Sequence, residues 1–241
     1  MTEIVATGHQ VNFLVGASVV RKIANADVFI ACDEFQYARH GYVNRNKLAD
    51  GTCPQCGMYW RDDPPADHCG VPVRPTWLIV PVDEHDTFAP INRVRLAENP
   101  VRWREKLART LEHKFGETAA GYAHDIRRPW RLLSGLNVAL LRRLLGDLAI
   151  DAEWVFQSHL ESGRHWGPVV GDDPWDLTPV SEKLAAMTAE VGANVWLSGP
   201  SGRNYLDERP FAERGIEVRY FDFHEPTNPC GLELVRQQVA A

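Results

Sequence analysis

Three groups of residues have types and spacings that could do chemistry. The first is spread along the chain: His9-Gln10, Asp33 and Gln36-Tyr37, Asn44-Arg45-Asn46, and the loop Ser198-Gly199-Pro200-Ser201-Gly202. A histidine can be tuned by its surroundings to act as a general base near neutrality or to donate to a substrate oxygen. Asp33 could orient that histidine or hold an amine, while Arg45 offers the bidentate fork that suits a carboxylate or phosphate. The glycines and serines of the 198–202 loop could turn backbone N–H groups toward an anion. Each residue also has an ordinary structural reading, as helix cap, turn former or surface ion pair. The loop is neither a G-x-G-x-x-G fingerprint nor a P-loop, and G-x-S-x-G is absent from the chain, so Ser198 and Ser201 are weak nucleophile candidates.

The second group is Cys53-Pro54-Gln55-Cys56-Gly57 followed by Cys69-Gly70, a pattern that predicts a zinc knuckle. A closed structural site needs four ligands, and Ala66 stands where a second knuckle would begin. The fourth ligand is then expected to be His68, with Asp67 or His85 as alternatives, giving Cys53, Cys56, His68 and Cys69. Three thiolates leave little Lewis acidity, so the metal is read as structural. A thioredoxin-like pair would belong at a helix start, not in this Pro/Gly-rich stretch. Cys32 reads as a buried strand thiol. The third group is aromatic: Phe35, Tyr37 and Tyr42 could wall a pocket, although core positions are the commoner use.

The elements that must position these groups alternate. Ile4–Thr7 reads as a strand, 14–24 as a helix and Val28–Cys32 as a buried strand. Residues 33–50 have no clear period, and 51–75 reads as an insert with its own metal staple. Trp77–Val82 is a strand candidate, and helices are predicted from Trp103 through Phe115 and over 131–149. Trp154–Phe156 predicts a strand, and Thr178-Pro179 opens a helix as cap and first-turn proline. The strand Asn194–Leu197, a short helix over 209–214 and the strand Ile216–Phe221 follow. The expected fold is α/β: a largely parallel, Rossmann-like sheet with flanking helices and the cysteine-rich insert, in one domain over 1–241. Ligands of such sheets sit beyond the carboxyl ends of the strands, where His9, Gln10, Asp33, Gln36 and the 198–202 loop would converge.

Composition narrows the function classes. Hydrophobic residues make up 44% and charged residues 24%, an ordinary globular balance. With 26 basic against 32 acidic residues there is no basic excess for nucleic acid. The clusters Arg102/Arg104/Lys106/Arg109 and Arg142/Arg143 read as solvated helix faces. Met1–Val5 has neither a basic start nor an apolar run, and no segment approaches a membrane span, so a cytoplasmic protein is expected.

Several of these segments together resemble the WbqC-like proteins: His9-Gln10-x-Asn12-Phe13, Lys22-Ile23-Ala24-x-x-Asp27-Val28-Phe29, Asp33-x-x-Gln36-Tyr37 and Asn44-Arg45-Asn46. Trp77-Leu78-x-Val80-Pro81-Val82, Leu136-Asn137 and Leu197-Ser198-Gly199-x-x-Gly202-x-x-Tyr205-Leu206 extend the likeness in order along nearly the whole chain. The family's usual proline after His-Gln is Val11 here, the 51–75 insert is additional, and His224-Glu225-Pro226 only loosely matches the family's His-Pro ending. The resemblance implies a setting in surface-polysaccharide or natural-product biosynthesis without naming a reaction.

Taken together, these residues predict a transferase that moves an acyl or aminoacyl unit onto an amine or sugar. His9 would be the base and Asp33 its orienting partner. Gln10, Gln36, Tyr37, Asn44, Arg45, Asn46, Ser198, Gly199 and Gly202 would hold a small-molecule or carrier-bound substrate. The alternatives are a non-catalytic binding or assembly protein for a nucleotide-sugar or carrier, and a nucleotidyltransferase. The latter calls for a second histidine shortly after His9, where Asn12 and Phe13 stand. The zinc insert could also dock a protein partner.

Overall fold

A computed structural model describes residues 2–39, 41–48, 76–86, 88–98, 100–164, 178–223 and 230–239. Five parallel strands form the central sheet: β1 (Val5–Gln10), β2 (Val28–Cys32), β5 (Glu153–Phe156), β6 (Val195–Ser198) and β7 (Glu217–Tyr220). Their spatial order is β5-β2-β1-β6-β7. β3 (Arg45–Leu48) and β4 (Thr76–Ile79) form a separate antiparallel pair, with Arg45 opposite Ile79 and Leu48 opposite Thr76.

The helices are α1 (Ala17–Ile23), α2 (Pro100–Phe115), α3 (Ala120–Arg127), α4 (Leu133–Asp147), α5 (Thr178–Glu190), α6 (Arg209–Glu213) and α7 (Gly231–Val239). Every residue of β2 is buried, because side chains alternate between two apolar layers. Phe29 and Ala31 join the layer containing Val20, Ile23, Leu136 and Leu140. Val28, Ile30 and Cys32 join the opposite layer with Leu184, Met187, Trp196 and Phe211. The α/β expectation holds, as a wholly parallel five-stranded sheet with helices against both faces.

The expected solvated face of α2 holds for Arg102, Lys106 and Arg109 but not for Arg104, which is buried. Its guanidinium donates to the carbonyls of Ile126, Arg128 and Trp130, satisfying acceptors that the end of α3 leaves open. α3 and α7 form where no helix was predicted. β3 falls in the segment without a period, because its buried positions include Asn46 and Lys47 as well as Leu48, and hydropathy carries no strand signal there.

The predicted zinc ligands Cys53, Cys56, His68 and Cys69 lie outside the described residues. Among the described residues no three His, Cys, Asp or Glu side chains are grouped to hold a metal, and no helix is long and apolar enough to cross a membrane.

Candidate functional site

The strand order reverses at β1. The chain builds outward from β1 through β2 to β5 on one side, then returns to place β6 and β7 on the other. Connections diverge at such a point and leave a crevice beyond the strand ends. A cavity of about 770 Å³ lies there, lined by the ends of β1 and β6, the face of α1 carrying Ser18, Val19 and Lys22, and the loop after β6. That volume falls within the range of small-molecule sites, roughly 300–1,000 Å³.

His9 lines it from β1. Its Nδ1 lies 2.8 Å from the Gln10 carbonyl oxygen, which can only accept, so Nδ1 carries the proton and the lone pair resides on Nε2. Burial and the nearby Lys22 ammonium push the imidazole down to about 4, against a smaller opposing effect of the Gln10 carbonyl. The ring is therefore neutral at pH 7.

Lys22, from α1, is buried at 7% exposure, and its Nζ donates to the Gly8 carbonyl at 2.9 Å. Desolvation pulls it down to about 8, opposed by the thiol of Cys32. Cys32 lines the same cavity, and burial pushes its thiol up to about 12, so it stays a neutral thiol rather than a nucleophilic thiolate. Gly8 makes room for this grouping: a Cβ there would stand 2.8 Å from the Trp196 ring and 3.2 Å from Cys32 Sγ.

Across the crevice, Ser198 is buried and hydrogen-bonds Tyr205, whose phenol is raised by burial and by Cys32. Gly202 donates its N–H to the Gly199 carbonyl at 2.9 Å. A side chain at Gly202 would strike the Ser198 hydroxyl.

The loop between β1 and α1 completes the wall. Leu14 adopts φ 45°, a conformation that L-residues take only when their surroundings hold them there. Asn46 Nδ2 donates to the Leu14 carbonyl, and the Gly231 N–H donates to the Val15 carbonyl at 2.8 Å. Asn137, fully buried on α4, donates to the carbonyls of Val11 at 2.6 Å and Val43 at 2.7 Å. The loop is thus tied to β3, α4 and α7.

Of the residues expected from sequence, His9, Gln10, Asn46, Ser198 and Gly199 line the cavity, with Gly202 packed behind Ser198. Phe35 and Tyr42 also line it, whereas Tyr37 is buried in the helix-side core. Asp33 does not orient His9: Oδ1 accepts from the Ser158 N–H at 2.9 Å and Oδ2 from the Ser158 hydroxyl at 2.7 Å, which ties the end of β2 to the end of β5. The orienting role belongs to the Gln10 carbonyl. Gln36 is exposed on a segment bridged to Pro90. Asn44 donates to the Val80 carbonyl at 2.9 Å, and Arg45 stacks over the Trp77 ring at 4.6 Å. Asn44 and Arg45 brace the region of β3 and β4, and none of the three is part of the cavity lining. Lys22 and Tyr205, by contrast, were not expected there as chemistry-bearing residues.

The chain matches the model of the WbqC-like protein family over residues 18–232. It is also similar to the uncharacterized protein Rv1507c of Mycobacterium tuberculosis, 27% identical over 222 residues that cover 89% of this chain and 80% of that protein. No solved structure matches it.

Proposed function

The chain belongs to the WbqC-like protein family, and from the cavity it builds at the strand-order reversal we propose a group-transfer enzyme that moves an acyl-type unit onto an amine or hydroxyl. One observation carries this reading. His9 offers an unprotonated Nε2 to a small-molecule cavity, with its tautomer fixed by the Gln10 carbonyl. As the acceptor attacks the acyl carbon, Nε2 takes its proton, while the Lys22 ammonium and the Ser198 hydroxyl lie on the same cavity to meet the developing oxyanion; its collapse breaks the bond to the leaving group, which departs with the proton returned from Nε2. A histidine held near 4 is a weak base. An anionic donor beside Lys22 would offset the ammonium that contributes to this depression and strengthen the base when substrate is bound. We also propose that Cys53, Cys56, His68 and Cys69 bind a structural zinc, which would hold the 51–75 insert without entering the reaction.

The test is to incubate the purified protein with a cell metabolite extract and follow by mass spectrometry which compounds disappear and which appear. The expected product has the mass of donor plus acceptor less the leaving group. His9→Gln should slow its formation by about 10²–10⁴-fold. Unchanged turnover would remove the base assignment, and the absence of any such product would remove the transfer reading.

A further inference from the structure

We infer that Lys22 is a covalent site: its side-chain amine condenses with the aldehyde or ketone carbonyl of a small molecule held in the cavity, forming an imine. The inference goes beyond the transfer reading and needs only the cavity and its lysine. Its basis is the way Lys22 is buried. The side chain is 7% exposed and lines the cavity, yet the described lining contains neither Asp nor Glu. A buried ammonium is costly without a partner of opposite charge, and proteins ordinarily supply a carboxylate. Among the described residues Lys22 has no such partner, and its hydrogen bond goes to the Gly8 carbonyl. An ammonium placed there keeps a full charge and further N–H groups without acceptors, whereas a neutral amine keeps a single N–H and a lone pair.

The amine is therefore the better accommodated form, and desolvation accordingly holds the group down at about 8. Amine and ammonium coexist near neutrality, so this chemistry stands beside the oxyanion contact of the transfer reading. A desolvated lysine amine has one distinctive reaction with small molecules, addition to a carbonyl carbon. The other lysine of the lining, Lys47, has a different setting, because its ammonium stands over the Trp77 ring at 4.9 Å.

His9 supplies the proton relay from the same cavity. Its ring is neutral, and the lone pair is on Nε2 because Nδ1 is held by the Gln10 carbonyl. Lys22 Nζ forms the C–N bond, loses a proton, and the carbonyl oxygen takes one to become a hydroxyl. That hydroxyl departs as water as the C=N bond forms, and the second amine proton leaves with it by way of Nε2. Both amine protons and the carbonyl oxygen end in the water, so no oxidant or reductant is consumed. Cys32 on β2 does not compete for the carbonyl, since burial pushes its thiol up to about 12, as it does for Cys230 on the α7 side of α1. The Tyr205 phenol across the cavity is also raised by burial.

Reductive trapping on the full chain tests this. The protein is incubated at pH 8 with propanal, or with pyruvate as a ketone that carries a charge, in the presence of sodium cyanoborohydride. The reagent delivers hydride to the imine carbon and fixes the adduct as a secondary amine. The chain has five lysines, Lys22, Lys47, Lys106, Lys114 and Lys183, so peptide mass mapping locates the adduct. Its added mass is that of the carbonyl compound less one oxygen. With at least one of the two compounds, Lys22 should be labelled about tenfold or more faster than the exposed Lys106, and the preference should vanish in urea. His9→Gln should slow Lys22 labelling several-fold, and an unchanged rate would remove His9 from the step. Lys22 labelled no faster than Lys106 by either compound, or a preference that persists in urea, overturns the inference. That comparison is made within the wild-type chain and so does not depend on any variant folding. Lys22 labelling without product in the metabolite assay would remove the transfer reading and leave the imine site. Product without Lys22 labelling would do the reverse.

Discussion

His9 and Lys22 illustrate how burial and a neighbouring charge set the protonation of a base. Burial disfavours the cationic form of both, and the ammonium of Lys22 further disfavours an imidazolium. The sign for stability follows from proton counting. Between about pH 4 and 6.5 the unfolded chain binds a proton at His9 that the folded chain does not, so stability falls as the pH drops through that window. The full interval corresponds to about 3 kcal/mol as an upper bound. For Lys22 the window lies between about 8 and 10.5, where stability rises with pH as the folded state sheds its buried charge first. Urea unfolding from pH 4 to 10.5, wild type against His9→Gln and Lys22→Met, should show the His9 slope vanish in the first variant and the Lys22 slope in the second. His9 was legible as a candidate because a histidine at the carboxyl end of a strand stands where ligands of a parallel sheet sit. Lys22 was legible only as part of a family pattern. Ser18 and Lys22 stand one helical turn apart and both line the cavity, so a helix known to face the crevice would have pointed to it. Asp33 was misplaced because a carboxylate at a strand end fits an orienting role and a clamp on Ser158 equally well.

At the scale of elements, the cavity wall depends on amides that look unremarkable in the sequence. Asn137 sits inside the leucine pattern of α4, yet its Nδ2 holds the carbonyls of Val11 and Val43 and so ties the loop after β1 to the approach to β3. Asn137→Ala takes this donor from both carbonyls, of which Val43 still accepts from the Phe13 N–H at 3.1 Å. It should cost about 1–3 kcal/mol in urea unfolding and reduce ligand affinity beyond what the stability loss explains. Asn137→Asp, nearly the same shape, can at most donate one proton when neutral and should not restore either property. The strands β1, β2, β5, β6 and β7 and the helices α4 and α5 were readable because their apolar patterns are clear in the sequence. β3 was not: its sequence Arg45-Asn46-Lys47-Leu48 is mostly polar, and its burial comes from β4 and the loop packed on it.

Over the whole molecule, strand order is what turns separate polar strand ends into one site. The end of β1 at Gln10 and the start of β6 at Val195 are 185 positions apart in the chain, yet Val5 pairs with Val195 and Ala6 with Trp196. Thr7 reinforces the junction by donating its hydroxyl to the Leu197 carbonyl at 2.7 Å. The zinc proposal also belongs at this scale, because it concerns how 51–75 is attached to the rest. Elemental analysis of the purified chain should find about one zinc per molecule, with paired Cys53→Ser and Cys56→Ser substitutions removing it. Metal-free protein that retains full stability and a normally folded insert would end the proposal.

The sequence by itself determined the α/β class, the alternation of strands and helices, and the polar ends of β1 and β6 that line the cavity, because period and strand-end polarity are local properties of the chain. It also placed His9, Ser198 and Gly199 on a shared rim, given a parallel sheet. Only the tertiary structure decided which polar groups face the crevice and which brace the walls. Asp33, Asn44 and Arg45 find partners in Ser158, Val80 and Trp77, while Lys22 is buried beside His9. Those choices depend on contacts between segments remote in sequence and on the loss of water around each group, neither of which residue type and spacing alone can express.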